Sequence, residues 1–274
     1  TNGFTARLIR AAPGPALSGN VQAFGEGGRF IAAAPFTFAA GETKAEARIE
    51  TPSGLRNDIE RLAIDSRASA GSVTLLDESA RRRPVGIVAG DEGQGGQPLL
   101  SAAYYLERAF ENAAEARSGA IAEHLERGVS MLVLADVGQV TGEEEGKLAA
   151  WVEKGGVLVR FAGPRLAAGG DDLLPVRLRQ TGARALGGAL SWEKPQTLAP
   201  FPKTSPFAGL TPPADIEVKR QVLAEPSLEL ESRTWASLSD GTPLVTGVKR
   251  GEGWIVLFHI TANAEWSNLP LSGL

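Results

Sequence analysis

The sequence predicts an α/β protein in two parts, a small β-sandwich over residues 1–80 followed by an open, helix-flanked sheet over residues 81–274. Three observations carry this. Up to Leu76 the chain is a series of short β-type runs divided by turns, at the spacing of strands in a small sandwich. Arg81-Arg82-Arg83-Pro84 then interrupts the pattern. Beyond it, short continuous apolar runs alternate with segments of helical period, and strand–helix–strand alternation builds a parallel sheet.

In the first part, Phe4 to Ile9 alternates apolar and polar residues. Val21-Gln22-Ala23-Phe24 leads into the turn Gly25-Glu26-Gly27-Gly28, and Arg29 to Ala33 returns. Phe36-Thr37-Phe38, Lys44 to Glu50, Leu62-Ala63-Ile64 and Val73-Thr74-Leu75-Leu76 complete the set, with Leu55 to Arg61 the one stretch of helical character. Charge runs are ordinarily solvated, so Arg81–Pro84 reads as a linker closed by a proline rather than a basic patch for anionic lipid.

In the second part, Val85 to Ala89 has the unbroken apolar character of a strand buried on both faces. Pro98 opens a helix that places Leu99, Ala103, Leu106, Phe110 and Ala113 on one face. Ile121 and Leu125 mark a shorter helix ending at Gly128, and Met131 to Ala135 is the next strand. Thr141 and Glu144 have capping-box spacing, so a helix begins there with Leu148, Trp151 and Val152 inward, and Gly155-Gly156 stops it before the strand Val157 to Phe161. An irregular, proline-rich insertion occupies about 164–233. Pro243 to Val248 and Trp254 to Ile260, joined by a turn over Lys249–Gly253, read as a hairpin that finishes the sheet.

Composition removes several classes of function. A net charge of −4 on 274 residues lacks the basic surface that nucleic acid requires. There is no cysteine, hence no disulfide, thiolate metal site or thiol nucleophile. The 2 histidines, His124 and His259, are too few and too far apart for a histidine-based metal site. No apolar run spans a bilayer and no signal peptide is present. The chain opens at Thr1 and stops within the apolar stretch Leu269–Leu274, which reads as a segment cut from a longer protein, with targeting or membrane parts outside it.

Val85–Ala89, Met131–Asp136, the helix-to-strand segment Glu143–Val159 with its Val152-Glu153-Lys154-Gly155-Gly156 turn, and Gly251–Leu257 together resemble the class I glutamine-amidotransferase-like fold, a flavodoxin-like open sheet. The whole chain is also similar to the central soluble region of uncharacterised bacterial double-transmembrane proteins related to aerotolerance-operon membrane proteins. Arg82–Gly86, Tyr104–Ala109, Leu132–Gly138, Leu158–Leu166, Ser191–Pro195 and Trp266–Leu274 carry this likeness. The resemblance implies a periplasmic segment anchored to the inner membrane through flanking segments absent from this chain, and no established activity.

In glutamine amidotransferases the nucleophile is a cysteine on a strained turn after a central strand, with a later His/Glu pair. The corresponding turn here is Ala135-Asp136-Val137-Gly138, there is no Gly-x-Ser-x-Gly, and His259 with Glu265 has the wrong spacing. Gly90–Pro98 sits where a phosphate loop would, but its pattern matches no phosphate motif, and Asp91 and Glu92 would repel a phosphate. Asp91, Glu92, Asp136 and Asp171-Asp172 follow strands, so they are expected on the carboxyl-end edge where open sheets bind ligands. The expected ligand-binding residues are therefore Asp91, Glu92, Asp136, Gly163 and His259; no catalytic residue, resident metal or cofactor is assigned. The expectation is a non-catalytic structural or protein-interaction module of a membrane-anchored envelope protein, with a protein partner in the envelope and no nucleic acid. The alternatives are a domain that binds a small ligand or a divalent metal, or a hydrolase-type enzyme using the acidic edge.

Overall fold

The computed structural model describes residues 3–51, 55–65, 69–77, 84–90, 101–111, 114–179 and 189–272. The chain divides into two compact units, Thr1–Arg82 and Arg83–Leu274.

The first unit is all β. β1 (Gly3–Ile9) pairs antiparallel with β4 (Lys44–Glu50) in a two-stranded sheet. β2 (Leu17–Phe24), β3 (Phe30–Phe38), β5 (Arg61–Ile64) and β6 (Val73–Leu75) form a second, four-stranded sheet in the order β3-β2-β5-β6. Alternation decides which side chains are buried: Ala45, Ala47 and Ile49 of β4 point inward while Lys44, Glu46, Arg48 and Glu50 stay exposed. They meet Val21, Ala23, Ala34, Phe36 and Phe38 of the other sheet in one core. The runs expected as two strands, Arg29–Ala33 and Phe36–Phe38, are one strand, β3, with Pro35 exposed within it. β3 is an edge strand, where a proline's missing N–H costs no ladder bond. The helical stretch expected over Leu55–Arg61 is a single 3-10 turn, Arg56–Asp58.

The second unit is built on a seven-stranded, mostly parallel sheet. Its elements run β7 (Pro84–Ala89), α1 (Ala102–Phe110), β8 (Glu115–Ser118), α2 (Ile121–Glu126), β9 (Met131–Ala135), α3 (Gly142–Glu153), β10 (Val157–Phe161) and α4 (Pro164–Ala168). β11 (Ala189–Gln196), β12 (Val218–Val222), α5 (Leu230–Arg233), β13 (Thr234–Ser237), β14 (Pro243–Arg250) and β15 (Gly253–Phe258) follow. The strand order is β13-β14-β15-β10-β9-β7-β8. β8, β7, β9, β10 and β15 are parallel, and β14 and β13 extend the sheet antiparallel. β11 and β12 form a separate antiparallel pair within the proline-rich region.

Register assigns each strand residue a face. Val85, Ile87, Val133, Ala135, Val159, Phe161 and Phe258 lie on the face that α1 covers. Leu132, Leu134, Leu158 and Ile255 lie on the other, under Ile121 of α2 and Leu148 and Val152 of α3. Two strands have no counterpart in the sequence reading. β8 (Glu115-Ala116-Arg117-Ser118) and β13 are short, polar or irregular, and both sit at the sheet's edges, where one-sided pairing demands no apolar run. The capping box expected at the start of α3 does not form: Thr141 occupies the N-cap position, but its side chain makes no capping bond. Pro98 and Leu99 lie outside the described residues; α1 opens at Ser101, whose Oγ accepts the Tyr104 N–H at 3.2 Å. Among the described residues, no helix is long and apolar enough to cross a membrane.

Candidate functional site

β7 is followed by β8 on one side while β9 lies on the other, so the chain reverses direction across the sheet between β7 and β9. In open α/β sheets such a reversal, at the carboxyl ends of the strands, is the usual ligand position. Asp91 and Glu92, which follow β7, lie outside the described residues. Asp136, directly after β9, is described, and its backbone is unusual. With φ of 49° it is the one non-glycine in the left-handed region among the described residues, a conformation that aspartate tolerates better than most residues. Gly90 presses against this turn: its N–H donates to Ala135 O at 2.8 Å, and a Cβ there would lie 2.1 Å from Asp136 O.

The Asp136 carboxylate is occupied. Oδ1 accepts the N–H groups of Arg165 and Leu166, both at 3.1 Å, and Oδ2 lies 3.3 Å from the same Arg165 nitrogen. These amides belong to the first turn of α4, whose N-cap is Gly163 and whose first residue is Pro164. Every helix start leaves orphan N–H groups that a side-chain oxygen can accept. Gly163 has no side chain to offer, so Asp136 caps α4 from 30 residues away. The same contact explains the glycine, because a Cβ at 163 would lie 2.5 Å from Asp136 Cγ. Burial pushes the Asp136 pKa above the ordinary carboxylate value, against the opposing pull of the α4 amides and Arg165.

Asp171 is likewise turned inward. Arg160, on β10, carries a guanidinium that is fully buried, and it meets Asp171 Oδ1 at 2.5 Å. Arg160 Nη2 also donates to Val137 O at 3.1 Å and Gly138 O at 2.9 Å, while Asp171 accepts the N–H groups of Val140 at 2.8 Å and Leu173 at 3.0 Å. The pair thus joins β10 to the loop after β9 and the loop after α4. Burial lowers the Arg160 pKa and Asp171 opposes that shift. Arg160 was not among the expected site residues. Its signal is legible in hindsight: a charge at an inward position of a buried parallel strand needs a buried partner. Asp172, by contrast, is exposed.

His259, just beyond β15, is fully buried. Nδ1 lies 2.7 Å from Val222 O and Nε2 lies 3.1 Å from Thr246 Oγ1. A carbonyl only accepts, so Nδ1 carries the proton and Nε2 accepts from the threonine hydroxyl. Burial lowers its pKa to about 4, so it is a neutral imidazole that holds β12 and β14 to the end of β15.

Of the expected ligand residues, the structure brings together Asp136 and Gly163, and gives His259 partners of its own in Val222 and Thr246. Of the acids expected on the carboxyl-end edge, Asp136 accepts backbone N–H groups of α4, and Asp171 accepts backbone N–H groups and the Arg160 guanidinium. No group of three or more histidine, cysteine or acidic side chains placed to hold a metal ion occurs among the described residues. A cleft of about 990 Å³ runs beside Asp171 and Asp172, with Glu145, Arg177, Arg179 and Glu225 on its walls, a lining of mixed charge.

No protein-family model matches the chain, and no curated protein matches it. Solved structures do. The chain is similar to the cytoplasmic protein STM1381 from Salmonella typhimurium LT2, at 12% identity and a TM-score of 0.50, covering 68% of this chain and 91% of that one. It is also similar to the cytoplasmic protein STM3548 from Salmonella typhimurium, at 12% identity and a TM-score of 0.47, covering 67% and 89%. A match to Gan42B, a GH42 β-galactosidase, has 14% identity and a TM-score of 0.43 and covers 65% of this chain but 27% of the enzyme. At such identities the STM1381 likeness shows a shared α/β fold alone.

Proposed function

We propose that the chain is a non-catalytic module of a membrane-anchored envelope protein, and that its second unit is a scaffold for interaction rather than an active site. The observation that carries this reading is the use of the polar groups at the strand ends. Asp136 caps α4, Asp171 neutralises Arg160, and His259 is a neutral strut. A general acid or base needs a free, solvent-reachable lone pair or proton near a substrate position, and these groups spend theirs on loop and strand contacts.

On this reading the first unit is a small β-sandwich and the second a flavodoxin-like, class I glutamine-amidotransferase-like sheet. The shared core of the two N-terminal sheets supports the former. The order β8-β7-β9-β10-β15, which is second-first-third-fourth-fifth along the parallel strands, supports the latter. In such a fold the left-handed Asp136 turn would correspond to the nucleophile turn, and a carboxylate there cannot form a thioester. The proposed setting is periplasmic, with a protein partner in the envelope.

Incubation of the full chain with glutamine tests the catalytic half of the reading: no ammonia release above buffer is expected, and release abolished by D136A or H259N contradicts it. The setting is tested in the parent gene by fusing alkaline phosphatase after Asp77. Phosphatase activity in intact cells is expected, and an inactive fusion with a soluble, cytoplasmic product contradicts it.

A further inference from the structure

On the α1 face of the sheet the coverage is uneven. α1 packs on β7 and β8 at one end. At the other end the segment 197–210 takes the place of a helix, anchored to β13 by Ala199 N–H to Ser237 O and Ser239 N–H to Thr197 O, both 2.9 Å. Between them, over β10 and β15, lies a cavity of about 700 Å³. Ligand pockets are typically a few hundred to about 1,000 Å³, mainly apolar, with a few placed polar groups.

The lining is concentrated in aromatic rings. Phe161 and Phe258, on the neighbouring strands β10 and β15, stack on each other with centroids 4.6 Å apart and planes at 14°, so their ring edges form the floor. Phe201 and Phe207 stand on the loop wall with centroids 5.4 Å apart, and Tyr105 and Phe110 on the helix wall. Half of the chain's 10 phenylalanines, every one belonging to this unit, therefore line one cavity, and each remains only partly buried. Rings used only for core packing would close on one another, since an unfilled space forfeits their dispersion contacts. The lining is mainly apolar; its polar members are Tyr105, Arg108, Thr261 and Ser272. Arg108, at the cavity, is already paired with Glu111 at 2.8 Å and lies 5.9 Å from the Tyr104 ring centroid, so no free charge awaits a counter-ion.

We propose that this cavity is a binding site for an uncharged, planar aromatic molecule, with its ring between the Phe161–Phe258 ring edges and the Phe201–Phe207 wall. The site lies on the sheet face, apart from the strand-end edge, and stands whether or not the module reading holds. The test uses N-phenyl-1-naphthylamine, a neutral aromatic amine that becomes fluorescent in apolar surroundings, titrated into the full chain. Saturable binding with one site per chain is expected. Ala109 and Leu210 line the cavity from exposed backbone positions, so A109W and L210W fill it from the rim without touching the buried core. Each is expected to weaken binding about tenfold or more, with an unchanged circular dichroism spectrum. Absence of saturable fluorescence, or binding that A109W and L210W both leave unchanged, overturns the proposal.

Discussion

At the scale of single residues, Asp136 and Gly163 act as a unit. The carboxylate replaces the cap that Gly163 cannot supply, and the glycine leaves room for the carboxylate. Gly163→Ala is expected to cost about 1–3 kcal/mol, the usual range for forcing atoms into a packed site. Much of that cost disappears in the D136A background, because the clash is with Asp136 itself; a double-mutant cycle by chemical denaturation measures the coupling. Gly163 was expected to border a ligand; that it packs against the Asp136 carboxylate was not legible, because the partner lies far away in sequence. His259 makes a pH-dependent prediction. Its pKa falls from 6.5 in the unfolded chain to about 4 in the folded one, so the unfolded state takes up the proton first as pH drops. The stability it contributes is whole above pH 6.5 and is lost as pH falls towards about 4, by about 3 kcal/mol at most. Asp136 has the opposite sign, since its raised pKa favours the protonated folded state at low pH. H259N, which can still donate to Val222 O but does not titrate, is expected to flatten the stability profile between pH 6.5 and 4. A profile as steep as that of the native chain contradicts the assignment.

At the scale of elements, the Arg160–Asp171 pair ties β10 to two loops that the sheet's hydrogen bonds do not reach. Removing one partner of a buried pair leaves the other charge without compensation, so R160L is expected to cost about 3–5 kcal/mol in chemical denaturation. A loss below about 1 kcal/mol would place the pair's contribution elsewhere. The elements also separate what is readable in a sequence from what is not. Val85–Ala89, Met131–Ala135, Val157–Phe161 and the closing hairpin were legible because strands buried on both faces must be continuously apolar. β8 and β13 were not, because edge strands pair on one side and carry no such pattern. β3 read as two runs because Pro35 looks like a break until the strand is known to lie at an edge. The Thr141–Glu144 spacing matched a capping box that does not form, and the neighbouring Val140 N–H is instead taken by Asp171, a long-range partner that no local pattern announces.

At the scale of the whole molecule, each unit has a core of its own. Among the described residues, the N-terminal core draws only on residues up to Leu76, and the α/β cores only on residues from Val85 onward. Residues 83–274 expressed alone are therefore expected to unfold in one cooperative transition with near-ultraviolet circular dichroism retained; a molten spectrum would contradict this. The central claim is that the polar groups gathered where such sheets bind ligands are here structural. Chemical denaturation of the native chain, D136A and D136N, each with and without Mg²⁺ or Ca²⁺, tests it most directly. Asparagine keeps an oxygen for the α4 amides, so D136N is expected to stay close to native while D136A loses about 1 kcal/mol, and the curves with and without cation are expected to superimpose. A native curve shifted by cation, by about 2.7 kcal/mol at 100 times the Kd, with the shift abolished in D136N, would contradict the account and make Asp136 a ligand.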